Sequence, residues 1–452
     1  MNIHFIAIGG SAMHNLAIAL KQEGYSITGS DDAIYEPSRS RLLQHNLLPH
    51  HMGWFPEKIN PDIDSIVLGM HARIDNPELL KAQELGLKIY SYPEFLFEHS
   101  KNKTRVVIGG SHGKTTITSM ILHVMKYHGK EIDYMVGAQV EGFENMVHLS
   151  KENDFIVLEG DEYLSSPIDR RPKFHLYRPN IALLSGIAWD HINVFPTFDI
   201  YKDQFKTFIE SIVRGGIIVY NQEDKEVVDI IEETINPIRK HPYSTHEYRV
   251  DNNLTVLDTP EGEMEIELVG SHNMSNLSGA KWLCQHMGID EDDFYEAIAS
   301  FKGASKRLEV ISKTRNSVLF KDFAHSPSKV KATTQAVREQ FPERKLYSFV
   351  ELHTFSSLSP QFLEQYAGSL DHADEAVVFY SPEALIQKKM AAVEKEEIYK
   401  AFQKNNLKVF TDPSEFKNHI ENLNFENSAL LFMSSGNYGG LDLQELGKLL
   451  PE

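Results

Sequence analysis

Short apolar runs alternate with amphipathic stretches along most of the chain, and this alternation is typical of a fold that uses strands and helices in turn. Buried strands are predicted for the apolar runs at 3–8, 26–28, 65–68, 104–108, 155–158, 181–184 and 217–220. Turn or charged residues bound these runs, as they usually bound strands that are covered on both faces of a parallel sheet. Helices are predicted at about 13–23, 114–128, 274–287 and 291–301. The fold class that follows is α/β.

The same alternation continues to the end of the chain and divides it into three blocks. The last block is predicted to hold strands at 318–320, 346–350, 376–379, 408–410 and 430–433, and helices at 328–339 and 361–370. At about 150 residues per domain, a chain of 452 residues also suggests three domains. The polar linker 99–103 and the small-residue hinge 301–305 place these domains at 1–102, 103–303 and 304–452.

The charged residues and the cysteine content limit the classes of partner and site. The chain has 64 acidic and 45 basic residues and a formal net charge of −19, which argues against binding to nucleic acid or to an anionic membrane. The single cysteine, Cys284, excludes a disulfide framework within the chain and a cysteine-based metal centre. No apolar run reaches the roughly 18 residues that span a bilayer, and the apolar N-terminus lacks the basic start of a signal peptide. We therefore expect a cytoplasmic protein.

The first predicted strand runs into a glycine turn. Gly9–Ser11 follow this strand, and the acidic residue Asp31 follows the next one, as in a nucleotide-binding βαβ unit. Ala7 and Ala12, however, occupy positions where a dinucleotide-binding sequence prefers glycine. The turn by itself leaves open both a nucleotide site and an ordinary connection between a strand and a helix.

A second glycine-rich turn, at 109–116, carries the clearest chemistry. It follows a predicted strand and opens a predicted helix, so its backbone N–H groups can surround phosphate oxygens. Lys114 is suited to neutralise the β- and γ-phosphates of ATP, and Thr115 to offer its hydroxyl to Mg²⁺. The spacing departs from the strict phosphate-loop pattern, because Ile108 stands where the first glycine would be. A chance Gly-Lys-Thr in an ordinary turn is the alternative, and an ATP site explains the context better.

Polar residues follow two further predicted strands. Glu159–Glu162 come directly after the strand at 155–158, and Asp190 and His191 follow the strand at 181–184. A magnesium ion that binds with ATP needs hard oxygen ligands near the phosphates. We therefore expect Glu159 to bind metal rather than to form a solvated acidic turn. We also expect His191 to be functional, although the chain contains 21 histidines.

Taken together, these motifs resemble those of the Mur ligases, which build the peptide stem of peptidoglycan. The resemblance covers the whole chain and rests on five motifs in the expected order: Gly110–Thr116, Glu159–Glu162, Asp190–His191, Gly270–Asn276 and Asp322–Pro327. It implies a Rossmann-like N-terminal domain that binds a UDP-sugar, a central P-loop ATPase domain and a Rossmann-like C-terminal ligase domain.

The resemblance also implies roles for individual residues, with ATP and Mg²⁺ as cofactors. The implied ATP contacts are Gly110, Ser111, His112, Gly113, Lys114, Thr115, Thr116, His272, Asn273, Asn276, Arg307, Asp322 and His325. The implied metal ligands are Thr115, Glu159 and His191, and the implied catalytic residues are Lys114, His191 and Arg307.

The N-terminus resembles the branch of the family that uses UDP-N-acetylmuramate. The implied contacts to that substrate are Gly9, Gly10, Ser11, Met13, Ser30 and Asp31. Two amine substrates occur in this branch, the recycled tripeptide L-Ala-γ-D-Glu-meso-diaminopimelate and L-alanine. The stretches 161–163, 169–174 and 433–436 resemble the tripeptide-using enzymes more. We therefore expect a tripeptide ligase, with the L-alanine ligase as the alternative, in the form of a monomer or a weak homodimer.

Some positions depart from the family pattern. Lys321 replaces an acidic residue, Ser326 replaces a histidine, and the stretch 350–354 lacks the arginines expected of the L-alanine enzyme. Lys206 has the spacing of a lysine that other members carbamylate, but we expect it on a helix surface, and Lys202 is a candidate for an active-site contact. Three further interpretations stay open: a dinucleotide oxidoreductase, a UDP-sugar sensor without catalysis, and another amide ligase of this superfamily.

Overall fold

The computed structural model describes residues 1–140, 142–304 and 307–451. By their contacts these residues form two compact units. The first comprises Met1–Gly186, Lys202–Tyr243 and Trp282–Ile289, and the second comprises Ile187–Tyr201, Ser244–Lys281 and the chain from Asp290 onward. Ser305, in the predicted hinge, lies outside the described residues. The limits 1–102, 103–303 and 304–452 for three domains stay a prediction.

A parallel four-stranded sheet with its helices begins the first unit. Its elements are β1 (Asn2–Ile6), α1 (Ser11–Gln22), β2 (Ser26–Ser30), α2 (Ser38–Gln44), β3 (Ser65–Leu68), α3 (Pro77–Glu84), β4 (Ile89–Ser91) and α4 (Tyr92–Ser100). The strand order is β2-β1-β3-β4. The adjacent parallel strands β1 and β2 therefore bring the turn at Gly9 and the residue Asp31 to the same edge of the sheet.

A seven-stranded sheet makes up most of the rest of the first unit. The elements in this part of the chain are β5 (Thr104–Gly109), α5 (Lys114–Tyr127), β6 (Asp133–Met135), β7 (Val147–His148), β8 (Phe155–Glu159), β9 (Ile181–Leu184), α6 (Phe198–Ser211), β10 (Ile217–Asn221), α7 (Lys225–Glu233) and β11 (Arg239–Tyr243). The order is β11-β10-β9-β5-β8-β6-β7, and only β7 runs antiparallel to its neighbour. Val106, Val107 and Ile108 in the central strand β5 are fully buried.

A small antiparallel sheet in the second unit was not predicted from the sequence. It consists of β12 (Tyr248–Asp251), β13 (Leu254–Thr259) and β14 (Gly262–Ile266), and two helices follow it, α8 (Ser271–His286) and α9 (Glu291–Ile298). Its strands are short, and most residues of β12 and β14 are exposed or half-buried. They therefore lack the apolar runs that identify the buried parallel strands.

The end of the chain forms a six-stranded sheet in the order β15-β16-β20-β17-β18-β19. Its elements are β15 (Glu309–Lys313), β16 (Val318–Asp322), α10 (Pro327–Gln340), β17 (Lys345–Glu351), α11 (Pro360–Leu363), β18 (Glu375–Phe379), α12 (Pro382–Gln387), α13 (Lys395–Phe402), β19 (Lys408–Phe410), α14 (Pro413–Glu421), β20 (Ser428–Met433) and α15 (Leu443–Gly447). Only β15 is antiparallel to its neighbour. One face buries Phe320 and Val350, and the other buries Phe349 and Phe432.

The predicted strands are present in all three blocks, but the helix predicted at 361–370 is wrong beyond Leu363. The α-helix ends there, and a single 3-10 turn, Glu364–Tyr366, follows it. The ring of Tyr366 is buried against Phe402, and its hydroxyl donates to the carbonyl of His325. These tertiary contacts fix the chain where the sequence pattern alone favours more helix. No α-helix among the described residues has the length and hydropathy needed to cross a membrane.

We predict that Phe208 in α6 is a main support of the loop that follows β5. Its ring is fully buried and stacks on Phe174 at 4.7 Å, and a Cβ atom added at Gly109 would lie 2.9 Å from it. Phe208→Ala should therefore lower the free energy of unfolding by about 3–5 kcal/mol, measured by urea denaturation. Ile200→Ala, on the same helix with the side chain 44% exposed, should change it by about 0.5 kcal/mol at most. Equal losses in the two variants would contradict the prediction.

Candidate active site

The turn between β5 and α5 has the backbone of a phosphate-binding loop. Gly110 (φ 134°) and Gly113 (φ 80°) adopt the left-handed conformations that favour glycine. Gly113 is the N-cap of α5, and Lys114 is the first residue of that helix. Ser111 donates its N–H to the carbonyl of Gly186 at 3.0 Å, which ties the turn to the chain after β9. A helix that begins at such a turn offers its first N–H groups and its positive end to an anion.

Ser185 and Gly186, which follow β9, hold this loop in place. The hydroxyl of Ser185 donates to the carbonyl of His112, and its N–H donates to the carbonyl of Gly109 at 3.1 Å. A Cβ atom at Gly110 would collide with the Ser185 hydroxyl, and one at Gly186 would lie 2.5 Å from the ring of His112. Small residues are therefore needed at these positions. Ser185 and Gly186 were not predicted as site residues from the sequence, although they stand directly after a predicted strand.

The ammonium group of Lys114 is paired with a buried carboxylate. Its Nζ lies 2.6 Å from Glu162 Oε2 and donates to the carbonyl of Gly110, also at 2.6 Å. Burial alone would lower the pKa of Lys114, but the carboxylates of Glu162, Asp161 and Glu159 outweigh it and raise this pKa well above its ordinary value. Lys114 is therefore held as a cation beside the phosphate loop. The partnership with Glu162 was missed from the sequence.

Thr115 and Glu159 place two oxygen ligands side by side. The Thr115 hydroxyl donates to Glu159 Oε1 at 2.7 Å, and the N–H of Gly137 donates to Glu159 Oε2 at 2.6 Å. Burial and the nearby Asp161 raise the pKa of Glu159. Hydroxyl and carboxylate oxygens are the ligands that Mg²⁺ prefers, and it binds nucleotide sites through one or two protein groups together with phosphate oxygens and water. The pair therefore fits a magnesium ion that arrives with ATP.

A hairpin at Leu164–Pro172 brings a second lysine to the same acidic group. The N–H of Lys173 donates to the carbonyl of Tyr163 at 3.0 Å, and Leu164 pairs with Pro172. Lys173 Nζ lies 3.0 Å from Asp161 Oδ2 and 4.3 Å from the centre of the Tyr163 ring. Burial would raise the pKa of Asp161, but Lys173 and Lys114 lower it. Two lysines thus balance the acidic residues that follow β8.

The turn after β1 closes on the acidic residue after β2. Gly9 donates its N–H to Asp31 Oδ2 at 2.7 Å, and Ser30 accepts a hydrogen bond from Lys58 Nζ at 3.1 Å. Ala7, where the dinucleotide pattern prefers glycine, has a left-handed φ of 66°. The backbone therefore keeps the conformation of a nucleotide-binding turn even though the glycine is absent. The remaining predicted contacts form the cap and first turn of α1: Gly10, Ser11 and Met13.

The start of α8 carries the residues expected to contact adenine, in the second unit. Asn273 Nδ2 donates to the carbonyl of Val269 at 2.9 Å, and Asn276 Nδ2 donates to Asn273 Oδ1 at 3.4 Å. Burial lowers the pKa of His272, against the opposing effect of Asp322, so the ring is neutral at neutral pH. The amides are thus held in a fixed arrangement on one turn of helix. Glycine at 270 is required, since a Cβ there would collide with Ala336.

The end of β16 holds three further predicted residues together in the second unit. Asp322 accepts the N–H of Leu308 at 2.6 Å and the N–H of Ala324 at 2.7 Å. The guanidinium group of Arg307 lies 5.0 Å from the centre of the Phe323 ring. His325 pairs through Nδ1 with the carbonyl of Phe323 at 2.8 Å. A carboxylate, a guanidinium group and an imidazole therefore lie within a few residues of one strand end.

His191 stands on a short loop in the second unit, next to a buried carboxylate. Asp190 Oδ1 accepts the N–H of His191 at 2.8 Å, and Asp190 Oδ2 lies 3.6 Å from Lys329 Nζ and 3.9 Å from His325 Nε2. Burial would raise the pKa of Asp190, but the positive charge of Lys329 and its other neighbours lower it well below its ordinary value. Burial and Lys329 lower the pKa of His325 to about 4. At neutral pH, Lys329 is therefore the cation that faces Asp190, ahead of a neutral His325.

A cavity of 360 Å³ opens beside the ends of β16 and β20. Lys321, Asp322 and Ser434 are among the residues that line it. The carboxylate of Glu351, buried at the end of β17, accepts hydrogen bonds from the Ser434 hydroxyl and from the N–H of Tyr438. The buried carboxylate of Glu351 thus holds the loop after β20. Glu351 itself lies in the stretch 350–354, where the sequence lacks the arginines of the L-alanine enzyme.

The predicted site residues fall into two groups. The first unit holds the turn at Gly9, the phosphate loop and Glu159, and the second unit holds His191 with the residues at the starts of α8 and α10. Glu159 and His191, both predicted metal ligands, thus belong to different units. Lys206 pairs with Glu233 at 2.7 Å on the surface of α6, and Lys202 pairs with Glu226 at 2.9 Å. Lys329 was missed, because its contact with Asp190 joins distant parts of the sequence that share no motif.

Comparison with known proteins gives the family. Successive family models match the chain: the Mur ligase family catalytic domain at 2–104, the Mur ligase middle domain at 108–284 and the Mur ligase glutamate ligase domain at 306–436. A UDP-N-acetylmuramate–L-alanine ligase from Caldicellulosiruptor bescii is 32% identical over 391 residues, which are 83% of this chain and 82% of the relative. The chain belongs to the Mur ligase family.

Other Mur ligases are similar over the whole length. The UDP-N-acetylmuramate–L-alanyl-γ-D-glutamyl-meso-2,6-diaminoheptandioate ligase of Haemophilus influenzae is 26% identical over 458 residues, 99% of each chain. The crystal structure of a murein peptide ligase from Psychrobacter arcticus aligns over 100% of both chains with a TM-score of 0.68 and 23% identity, and so has the same fold. The predicted three-domain Mur ligase architecture is confirmed. As a Mur ligase, the protein is an ATP-dependent ligase that forms an amide bond.

We predict that the close approach of Gly110 to Ser185 is essential for ATP binding. Gly110→Ala should weaken ATP binding by about tenfold or more, because a collision inside a packed loop costs about 1–3 kcal/mol, and the affinity can be measured by isothermal titration calorimetry. The control is Gly262→Ala, at φ 119°, where an added Cβ meets no atom within 4 Å. It carries the backbone strain without the collision and should keep the ATP affinity. A loss of the same size in both variants would show that strain, rather than the contact with Ser185, is responsible.

Proposed function

We propose that this Mur ligase joins the lactyl carboxylate of UDP-N-acetylmuramate to the amino group of L-Ala-γ-D-Glu-meso-diaminopimelate. The hairpin at Leu164–Pro172 is the observation that carries the proposal. This hairpin brings together the stretches 161–163 and 169–174, which resemble the tripeptide-using enzymes, beside the phosphate loop. The relative from Haemophilus influenzae is named for the same tripeptide.

ATP activates the carboxylate in the proposed reaction. The lactyl carboxylate attacks the γ-phosphorus, the bond to the bridging oxygen of ADP breaks, and an acyl phosphate forms. Positioning and electrostatic stabilisation provide most of the catalysis in such transfers. Lys114 supplies positive charge to the transferring phosphoryl group, and Arg307 supplies more. Asn273, Asn276, His272, Asp322 and His325 would bind the adenosine part of ATP.

The amine then attacks the acyl carbon, inorganic phosphate leaves, and the amide bond remains. A protonated amine cannot attack, so the amine has to lose a proton before or during this step. UDP-N-acetylmuramate would be bound at the turn after β1, where Gly9 and Asp31 are joined by a hydrogen bond at 2.7 Å. We further propose a cytoplasmic protein that acts as a monomer or a weak homodimer.

Thr115 and Glu159 would hold a magnesium ion, with His191 as a further ligand. When bound, the ion neutralises the phosphate oxygens and so favours attack at the γ-phosphorus. The hydrogen bond between Thr115 and Glu159, at 2.7 Å, keeps both oxygen ligands in place. The N–H of Gly137, 2.6 Å from Glu159 Oε2, fixes the orientation of the carboxylate.

The second candidate function is the ligation of L-alanine to UDP-N-acetylmuramate. It is favoured by the relative from Caldicellulosiruptor bescii, which is 32% identical and named for that reaction. The residue at the end of β17 argues against the L-alanine function. Glu351 is buried there, in the stretch where arginines are expected for the L-alanine enzyme. The two functions share all steps except the identity of the amine.

The amine is therefore the variable to test. Purified protein with ATP, Mg²⁺ and UDP-N-acetylmuramate should release phosphate with the tripeptide at least about tenfold faster than with L-alanine, since peptide contacts used in the transition state raise kcat/KM. Mass spectrometry of the product checks that an amide has formed. Lys114→Ala, which removes a charge from the phosphoryl group, should reduce the rate by about 10²–10³. Faster turnover with L-alanine would favour the second candidate, and no turnover with either amine would contradict both.

The metal role of Glu159 gives a separate prediction. Glu159→Gln keeps the shape of the side chain but removes its charge, and should raise the Mg²⁺ concentration for half-maximal rate by about 10–100-fold. The measurement is a Mg²⁺ titration of phosphate release at saturating ATP. Glu152→Gln, an exposed residue in the turn before β8, makes the same chemical change without touching the loop. A Mg²⁺ requirement that is unchanged in Glu159→Gln would remove this residue from the metal site.

A further inference from the structure

The loop at 189–192 is held by side chains from a much later part of the chain. The ring of Trp189 meets Phe362 edge to face at 6.0 Å, and the N–H of Ile192 donates to the Ser356 hydroxyl at 3.3 Å. Trp189 and Ile192 also pack against the apolar core around α10 and β17. The indole N–H of Trp189 also donates to the carbonyl of Phe195 at 3.1 Å. The two ends of the loop are therefore fixed by apolar packing and by hydrogen bonds.

The middle of the loop depends on a carboxylate. His191 has a left-handed φ of 54°, a conformation that is unfavourable for a residue with a Cβ atom. Asp190 Oδ1 accepts the N–H of His191 at 2.8 Å and so stabilises this backbone. The direction of the His191 side chain follows from the backbone that Asp190 holds.

Asp190 in turn is held by a cation from α10. Lys329 Nζ lies 3.6 Å from Asp190 Oδ2, and the two side chains are 20% and 5% exposed. His325 Nε2 lies farther from this oxygen, at 3.9 Å, and burial lowers the pKa of its ring to about 4. A carboxylate with so little contact with water needs a partner of opposite charge. Lys329, in the first turn of α10, supplies that charge.

We propose that Lys329 is a positioning residue for His191 and acts through the carboxylate of Asp190. Without its charge, Asp190 loses the partner that holds it beside the His191 amide, and the loop leaves the left-handed conformation. The effect of Lys329 on the loop backbone does not depend on the proposed function. Its effect on metal binding does, because His191 is a metal ligand only in the proposed function.

Three variants of the full-length protein separate the charge of Lys329 from other effects. Lys329→Met removes the charge and keeps most of the length of the side chain, and Lys329→Arg restores the charge. Lys331→Met is the matched control, because Lys331 is an exposed residue of the same helix. Thermal unfolding of each variant checks that the protein is folded.

The first measurement is hydrogen exchange of the amides at 187–195 in the absence of ligands, followed by mass spectrometry. Lys329→Met should speed exchange in this segment by about tenfold, as expected when a local structure loses a stabilising contact. Lys329→Arg should stay within about twofold of the parent, and so should Lys331→Met. If Lys329 acts through Asp190, adding Asp190→Asn to Lys329→Met should produce little further change, because contacts in one chain of interactions are not additive.

The second measurement is the affinity for Mn²⁺, used as a paramagnetic probe in the presence of ADP and followed by electron paramagnetic resonance. Lys329→Met should weaken it by about 10–100-fold, the usual cost of losing a group that orients a metal ligand. Exchange and Mn²⁺ affinity that match those of Lys331→Met would overturn the proposal. Faster exchange with an unchanged Mn²⁺ affinity would keep the positioning of the loop but remove His191 from the metal site. The failure of the proposed function is thereby distinguished from the failure of this inference.

Discussion

The position of β5 between β8 and β9 is the constraint on which the phosphate site depends. The three strands are parallel, so the residues that follow them leave the sheet at one edge. In this register Ile108 pairs with Glu159, and Gly109 pairs with Leu184. A slip by one residue would turn the side chain of Glu159 to the opposite face of the sheet, away from Thr115. Strand register therefore brings the loop, the acidic residues and Ser185 together before any side chain contributes.

Charge pairing around the loop explains how an acidic protein can offer a site to anions. The net charge of −19 belongs to the whole chain, whereas Lys114 and Lys173 each have a carboxylate partner in surroundings with little water. A buried cation without a partner would be costly, and Glu162 keeps Lys114 charged at the phosphate loop. The loop therefore holds a positive charge although the whole chain is acidic.

Local sequence predicted the parallel strands and the phosphate loop, because both depend on neighbouring residues. The apolar run at 155–158 and the glycines around Lys114 define their own backbone. The three-stranded sheet at 248–266 was missed because its outer strands, β12 and β14, are mostly exposed or half-buried. The helix beyond Leu363 was predicted wrongly because the burial of Tyr366 determines the backbone there. The partners Glu162, Ser185 and Lys329 could not be predicted, since each contact forms only after distant elements have met. Residue types thus predicted the strands and the glycine turn, whereas the contacts between distant residues required the fold.

The choice of amine has to be made outside the parts that the Mur ligases share. Ligases named for L-alanine and for the tripeptide are similar to this chain over most of its length, and both need the same handling of ATP. Overall sequence identity therefore reflects the residues that both kinds of ligase share and does not indicate which amine is used. Discrimination requires residues that interact with one amine and not the other. The hairpin at Leu164–Pro172 and the loop that Glu351 holds after β20 are each held by an ion pair or by hydrogen bonds. Residues that discriminate between substrates have to be held in one arrangement by such contacts.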